Sequence, residues 1–122
     1  MSNVITWFEL PTADFDRAVK FYSTILGKEL TIIERMGQKR GVFPMDGEGV
    51  GGDLVPPGNG QFPSATGTRV SLNCEGHLDE VAGQVEAAGG HILQPKLSLG
   101  EPGWVVVISD TEGNTIGLHS KI

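Results

Sequence analysis

Four polar residues that could bind a ligand or transfer protons lie in segments whose alternating pattern predicts β-strands. Glu9 follows Trp7 by two residues, Asn73 follows Arg69 by four, and His119 lies in a short apolar segment. Because successive strand side chains point to opposite faces, these even spacings place both members of each pair on one face. Arg69 could pair with an anionic ligand group, and Glu9 and His119 could exchange protons if they approach one another. Alternatively, Glu9 and Arg69 form a structural salt bridge and His119 lies near a frayed end.

Two tryptophans are candidates for the wall of a binding site. Trp7 and Trp104 each lie in a predicted strand, where an indole ring could stack on a ligand. Tryptophan is equally favoured at dimer interfaces, so the sequence leaves both roles open. The single cysteine, Cys74, shares a predicted strand face with Val70 and Leu72, and we expect a small buried hydrophobic residue rather than a nucleophile.

The elements that must position these residues are predicted as two copies of one unit. One helical run extends from Phe15 to Gly27, and a second, from Leu78 to Gly90, follows at an offset of 63 positions. An alternating segment precedes each run and several glycine-separated apolar segments follow it, so each unit has the order βαβββ. The predicted fold class is therefore α+β, a single domain over 1–122 with module 1 at about 1–57, a linker at about 56–67 and module 2 at about 68–122. The predicted strands are 4–10, 30–35, 41–45, 51–55, 68–74, 92–93, 104–108 and 115–119, and the predicted helices are 15–26 and 78–88.

Composition and charge exclude several classes of function. The 122 residues suffice for one domain with its own core, and the net charge is −6 with a pI of about 4.9. This charge opposes binding to nucleic acids and to anionic membranes, both of which need clustered Lys and Arg. The sequence has no run of roughly 20 apolar residues that would span a membrane, and no signal peptide is predicted. Since one cysteine cannot form an internal disulfide, we expect a cytoplasmic protein.

Five sequence motifs extend over nearly the whole chain. They are WFELP at 7–11, DFDRAVKFY at 14–22, ILG at 25–27, VEAAGG at 85–90 and DTEGNTIGLH at 110–119. Together they resemble the vicinal oxygen chelate superfamily, which includes glyoxalase I, bleomycin-resistance proteins, fosfomycin-resistance enzymes and extradiol dioxygenases. The resemblance implies two βαβββ modules that form an open, cup-shaped mixed sheet with the helices on its outer face. It also implies a small molecule bound in the cup, and commonly a homodimer.

The resemblance further identifies the positions at which metal enzymes of this superfamily carry their ligands. By motif alignment these positions are Trp7, Asp53, Arg69 and Gly117. Only Asp53 has a side chain that can ligate, and the guanidinium of Arg69 would repel a divalent cation. We therefore expect no cofactor and no metal at the usual place.

The favoured function is binding of a small molecule in the cup, with neither a nucleic acid nor a membrane as partner, and whether the protein is an enzyme stays open. The alternative is a divalent-metal-dependent lyase, isomerase or dioxygenase acting on a small carbonyl or diol compound. Its catalytic candidates are Glu9 and His119, and its shifted ligand set is Glu9, Asp53 and His119. A third possibility is an interaction module whose Trp-rich sheet face binds a partner. The predicted ligand-binding residues are Trp7, Glu9, Arg69, Asn73, Trp104 and His119.

Overall fold

A computed structural model describes residues 3–122, so Met1 and Ser2, where the predicted first module begins, lie outside the described residues. The predicted order βαβββ occurs twice, and the α+β class is confirmed. The first module contains β1 (Trp7–Pro11), α1 (Phe15–Leu26), β2 (Thr31–Arg35), β3 (Gln38–Val42) and β4 (Gly51–Val55). The second contains β5 (Val70–Asn73), α2 (Leu78–Gln84), β6 (His91–Ser98), β7 (Trp104–Ser109) and β8 (Thr115–Ser120).

Each module forms one open four-stranded mixed sheet, and the two sheets have the same strand order. The first sheet has the order β1-β4-β3-β2, and the second β5-β8-β7-β6. The first and last strands of each module are therefore neighbours, and they run parallel, whereas the other pairs are antiparallel. This topology places residues from the start and the end of each module side by side.

The first helix has the boundaries that its sequence predicts. Asp14 is the N-cap, and its carboxylate accepts a 3.1 Å hydrogen bond from the backbone N–H of Arg17. Gly27 ends the helix in the left-handed conformation, at φ 69°, which glycine adopts without steric cost. The buried residues of α1 recur at helical spacing, so one stripe faces the core: Ala18, Phe21, Tyr22 and Ile25.

One hydrophobic core joins the two modules. The helices α1 and α2 contact each other, and the core includes apolar residues from both sheets. Alternation along each strand directs one sheet face into this core and the other away from it. On β1, for example, Leu10 is buried whereas Trp7 and Glu9 are exposed. The face of each sheet that points away from the core is called its polar face below.

The loop at 110–114 connects the second module to the first. Its Glu112 carboxylate accepts hydrogen bonds from the backbone N–H groups of Ala13 (2.9 Å) and Asp14 (2.7 Å), which directly precede α1. The Arg17 side chain donates to the same carboxylate through Nε at 2.8 Å and Nη2 at 3.1 Å. The carboxylate is fully buried, and these donors compensate its charge.

Several predicted boundaries differ from the observed ones, including the start of β1 at residue 7 rather than 4. Met36 and Gly37 both have positive φ, 53° and 78°, as a two-residue hairpin turn requires, so β3 begins at residue 38 rather than 41. The second helix ends at residue 84 rather than 88, because residues 85–89 form turns. Strand β6 covers 91–98 rather than 92–93, since its polar residues pair with β7 through two register irregularities. Among residues 3–122, no helix is long and apolar enough to cross a membrane.

Candidate ligand-binding site

The polar face of the first sheet brings two carboxylates together. Strands β1 and β4 are parallel neighbours, and their register places Glu9 directly beside Asp53. Trp7 lies two residues earlier on the same face, beside Gly51. Residues opposite one another in a sheet share a face, so Glu9 and Asp53 form the acidic centre of this surface.

Arg40, a residue that the sequence analysis did not single out, joins these two carboxylates. It lies on β3, and its Nη1 group contacts Glu9 Oε2 at 2.7 Å and Asp53 Oδ2 at 3.3 Å. The salt bridge anticipated between Glu9 and Arg69 is therefore wrong, because the ion partner of Glu9 is Arg40. Predicting β3 from residue 41 onwards left Arg40 outside any strand, although the turn at Met36 and Gly37 marked the start of the hairpin.

Burial divides this cluster into an inner and an outer carboxylate. The side chain of Asp53 is fully buried, whereas that of Glu9 is 38% exposed. Burial raises the pKa of Asp53 above its ordinary value, although the nearby Arg40 charge opposes that rise. For Glu9 the hydrogen bond from Arg40 dominates and lowers the pKa.

Two buried polar atoms of the cluster have no hydrogen-bond partner among the described residues. One is Asp53 Oδ1, an acceptor, and the other is Arg40 Nε, a donor. Buried polar groups are usually satisfied, so unpaired ones need an explanation, often in the function of the site. Within the described part of the chain, this pair leaves one acceptor and one donor unpaired at the centre of the cluster.

The Trp7 side chain lies over β4, next to the cluster of Glu9, Arg40 and Asp53. This is the position expected of an aromatic residue that forms one wall of a binding site. A Cβ atom at Gly51 would lie 3.0 Å from Trp7 Cζ3 and 2.7 Å from Met45 Sδ, so the indole and the thioether occupy the space above this glycine. Trp7 remains 37% exposed. Its ring therefore offers an apolar surface beside the charged groups.

The linker between the modules reaches the same surface. The Gln61 side chain donates a 3.2 Å hydrogen bond to Glu9 Oε1, and the Asn59 side chain donates to Gln61 Oε1 at 2.8 Å. The neighbouring Phe62 is 80% exposed. The contact to the first sheet is thus made by Gln61, a residue for which the linker sequence gave no periodic signal.

The polar face of the second sheet carries the other two predicted strand residues. Asn73 lies directly beside His119 in the parallel pair of β5 and β8. The Nε2 group of His119 donates a 2.6 Å hydrogen bond to the carbonyl oxygen of Pro102. A shallow depression of about 300 Å³ is lined by both residues together with Ser71, Leu72, Glu75 and Lys121. Arg69 is exposed and precedes β5, one residue outside the strand.

Trp104 lies on the opposite side of the second sheet from His119. Its register partner is Ser120, whereas His119 pairs with Val105. Lys96 lies over the indole ring, with Nζ 5.0 Å from its centroid, and also pairs with Asp79 of α2 at 3.2 Å. Trp104 therefore lies on the helix side of the sheet.

The residues present do not fit the metal site of the superfamily's enzymes. Within residues 3–122, no three or more His, Cys, Asp or Glu side chains form a group that could hold a metal ion. Glu9 and Asp53 lie together on the first sheet and His119 on the second. A guanidinium already occupies the space between the two carboxylates.

Cys74 is buried in the core, as predicted. Its side chain belongs to the core cluster, and burial raises the pKa of its thiol to about 11. It contributes apolar packing rather than chemistry.

Comparisons with known proteins agree with this architecture. The family model described as bleomycin resistance protein-like N-terminal matches residues 5–41. Two curated relatives, from Mycobacterium tuberculosis and Mycobacterium bovis, are each 27% identical to this chain over 116 residues. Both are named CFP32 and described as a provisional glyoxylase. The match covers 92% of this chain but 43% of each relative, so the chain spans less than half of their length.

Solved structures share the fold over their full length. A glyoxalase/bleomycin resistance protein from Albidiferax ferrireducens has a TM-score of 0.76 and 16% identity, with 98% of this chain and 100% of the other covered. The fosfomycin resistance protein FosX from Listeria monocytogenes has a TM-score of 0.68 and 16% identity, with 100% and 96% covered. At such identities the likeness shows the fold, and the N-terminal family match and the CFP32 relatives add the sequence evidence. Taken with the repeated βαβββ order and the five motifs, these findings support the resemblance of the chain to the vicinal oxygen chelate superfamily.

Proposed function

We propose that this protein binds a small organic molecule on the polar faces of its sheets, without a metal or other cofactor. The observation that carries the proposal is the cluster of Glu9, Arg40 and Asp53, in which an arginine joins the two carboxylates that a metal would need. The two unpartnered atoms, Asp53 Oδ1 and Arg40 Nε, offer one acceptor and one donor to a further polar group. Trp7 provides an apolar wall beside them.

The proposed working form is a cytoplasmic homodimer. The polar faces of the two sheets both point away from the core that the modules share, so a second copy can oppose the second sheet of one chain to the first sheet of the other. In such a dimer the depression lined by Asn73 and His119 would lie across from Glu9 and Trp7. A cup built in this way would unite residues that are separate in one chain.

The metal-dependent alternative has one observation in its favour. The register places Glu9 directly beside Asp53, whereas the alignment had placed Glu9 about one pleat repeat away from the usual ligand position. In a dimer, His119 of the second copy could complete the set of Glu9, Asp53 and His119 for a lyase, isomerase or dioxygenase. The ion pairs of Arg40 with both carboxylates argue against it, so we place this function second.

Native mass spectrometry of freshly purified protein, prepared without chelator and without a metal-affinity tag, tests the proposal. A dimer mass without metal, with or without a small adduct, is the expected result. One metal ion per subunit would overturn the metal-free proposal and favour the alternative. A strictly monomeric mass at micromolar concentration would overturn the shared cup.

Two single-tryptophan variants then locate the ligand. Trp7→Phe and Trp104→Phe are matched, because both indoles are 37% exposed and they lie on different sheets. Small organic acids, amines and neutral carbonyl compounds are first screened by thermal shift. Binding of a hit at the polar face of the first sheet should change the fluorescence of Trp104→Phe, which retains Trp7. Trp7→Phe retains only Trp104. A fluorescence change seen only in this variant would place the ligand at Trp104 instead.

A further inference from the structure

Arg40 has a position from which only a long side chain can reach both carboxylates. It lies on β3, two residues before Val42, and Val42 is the register partner of Asp53. Residues two apart share a strand face, so Arg40 and Asp53 lie on the same face but diagonally displaced. The side chain extends across the face and contacts Glu9 and Asp53 with one nitrogen, Nη1.

The two carboxylates require a cation. Asp53 and Glu9 are direct neighbours, and the Asp53 side chain is fully buried. Two adjacent carboxylates in such a setting cannot both ionise without a compensating positive charge. The unpartnered Oδ1 of Asp53 further shows that the inner carboxylate has acceptor capacity that Arg40 does not use.

We infer that Arg40 is the resident cation of this site: its guanidinium takes the place between Glu9 and Asp53 that a divalent metal would otherwise occupy. This inference rests on the proposed metal-free function and assigns its cause to one residue. A metal bound by carboxylate oxygens lies about 2.0–2.6 Å from them, which leaves no room for a guanidinium nitrogen in contact with both. Arginine does not deprotonate in proteins, so it excludes the metal at every ordinary pH.

The test is Mn²⁺ binding to the full chain, with free Mn²⁺ measured by electron paramagnetic resonance. Arg40→Met removes the charge but retains an unbranched apolar stem of similar reach. We expect this variant to bind one Mn²⁺ at least about tenfold more tightly than the wild type, since two carboxylates then lack their cation. Adding Asp53→Asn to Arg40→Met should abolish the gain.

Arg35→Met is the matched control. Arg35 lies exposed on β2 and acts on Glu9 only through its charge, so the variant changes the net charge equally without opening the cluster. Its Mn²⁺ affinity should stay within about twofold of the wild type. An equal gain in Arg35→Met and Arg40→Met would show a general effect of charge and would overturn the inference.

The remaining outcomes separate this inference from the proposal on which it rests. Tight Mn²⁺ binding by the wild type would overturn the metal-free function itself. Absence of Mn²⁺ binding in both the wild type and a folded Arg40→Met would overturn only the role of Arg40. If Arg40→Met is unfolded in metal-free buffer, millimolar Mn²⁺ should restore its far-UV circular dichroism, and failure to do so would likewise overturn the inference.

Discussion

The Tyr22 hydroxyl donates a 2.6 Å hydrogen bond to Asp110 Oδ2 across 88 positions of sequence. The bond links α1 of the first module to the 110–114 loop of the second, and both side chains are buried. Burial and the negative charge of Asp110 raise the pKa of Tyr22 well above its ordinary value, so the phenol stays a neutral donor. The two modules are thus joined by a polar contact inside their shared core.

We expect Tyr22→Phe to lower the free energy of unfolding by about 1–3 kcal/mol, because it removes the donor from a buried carboxylate. Asp110 Oδ2 would retain only its 3.1 Å hydrogen bond from the Asn114 side chain. Urea unfolding measures the change. Thr31→Val, which deletes an exposed hydroxyl on β2, should stay within about 0.5 kcal/mol of the wild type. Equal losses in both variants would contradict this role of Tyr22.

Glu112 should contribute stability that depends on pH. Burial alone would raise the pKa of Glu112. The hydrogen bonds from the Arg17 side chain and from the backbone N–H groups of Ala13 and Asp14 outweigh burial and lower this pKa. The unfolded chain therefore binds protons more readily than the folded protein. This contribution is complete above the ordinary glutamate pKa of 4.5 and is lost as pH falls through the lower pKa of the folded state.

Glu112→Gln should therefore be less stable than the wild type at pH 7 and should lose less stability between pH 7 and pH 3. Glu48→Gln is the matched control, since Glu48-Gly49 precedes β4 as Glu112-Gly113 precedes β8, but Glu48 is exposed. Its stability should follow the wild-type pH dependence. Urea midpoints measured at several pH values decide the matter, and parallel curves for Glu112→Gln and the wild type would contradict the prediction.

Gly103 and Gly83 should respond to alanine in opposite directions. Gly103 has φ 109°, and a Cβ atom there would overlap the Ser120 carbonyl oxygen, so Gly103→Ala should cost about 2 kcal/mol or more. Gly83 lies in α2, and no atom lies within 4 Å of its Cβ position, so Gly83→Ala should stabilise by about 0.5–1 kcal/mol. Thermal melts of both variants test this prediction, which a loss of stability in Gly83→Ala would refute.

The thiol of Cys74 should be almost unreactive in the folded protein. Burial raises the pKa of Cys74 from 9.0 to about 11, which lowers the thiolate fraction at pH 8 by about a hundredfold. We expect modification by a disulfide reagent to proceed only as fast as unfolding. Ser71→Cys, which adds an exposed thiol three residues earlier, should react at once with one equivalent. Rapid modification of wild-type Cys74 in native buffer would contradict its placement in the core.

The parts of the fold that local sequence determines were predictable. Asp14 caps α1, Gly27 ends it, and the spacing of Ala18, Tyr22 and Ile25 marks its buried face, so the boundaries of α1 were correct. Strand β4 was also correct, because a glycine-containing turn precedes it and Pro56 and Pro57 follow it. The repeat predicted the order of elements, βαβββ in each module, since equal units with the same pattern adopt the same local structure.

The parts that depend on pairing across the chain were not predictable. Arg40 was missed because Gln38–Arg40 are polar and lack an apolar alternation, although they form one arm of the hairpin. The pairing of Glu9 with Asp53 depends on a register between strands more than 40 residues apart, which local sequence does not specify. Glu112 gave no signal either, because its partners begin 95 positions earlier in the chain.

The long reach of Glu112 also has a consequence for folding during synthesis. The chain emerges from the ribosome N-terminus first. Ala13 and Asp14 are therefore synthesised almost one hundred residues before Glu112, whose carboxylate accepts hydrogen bonds from their N–H groups. Until the second module appears, Tyr22 lacks its hydrogen-bond partner Asp110, and Phe21 lacks the backbone at Gly90 that approaches its ring. A nascent first module therefore lacks part of the apolar surface that covers α1, because the shared core includes residues of the second module.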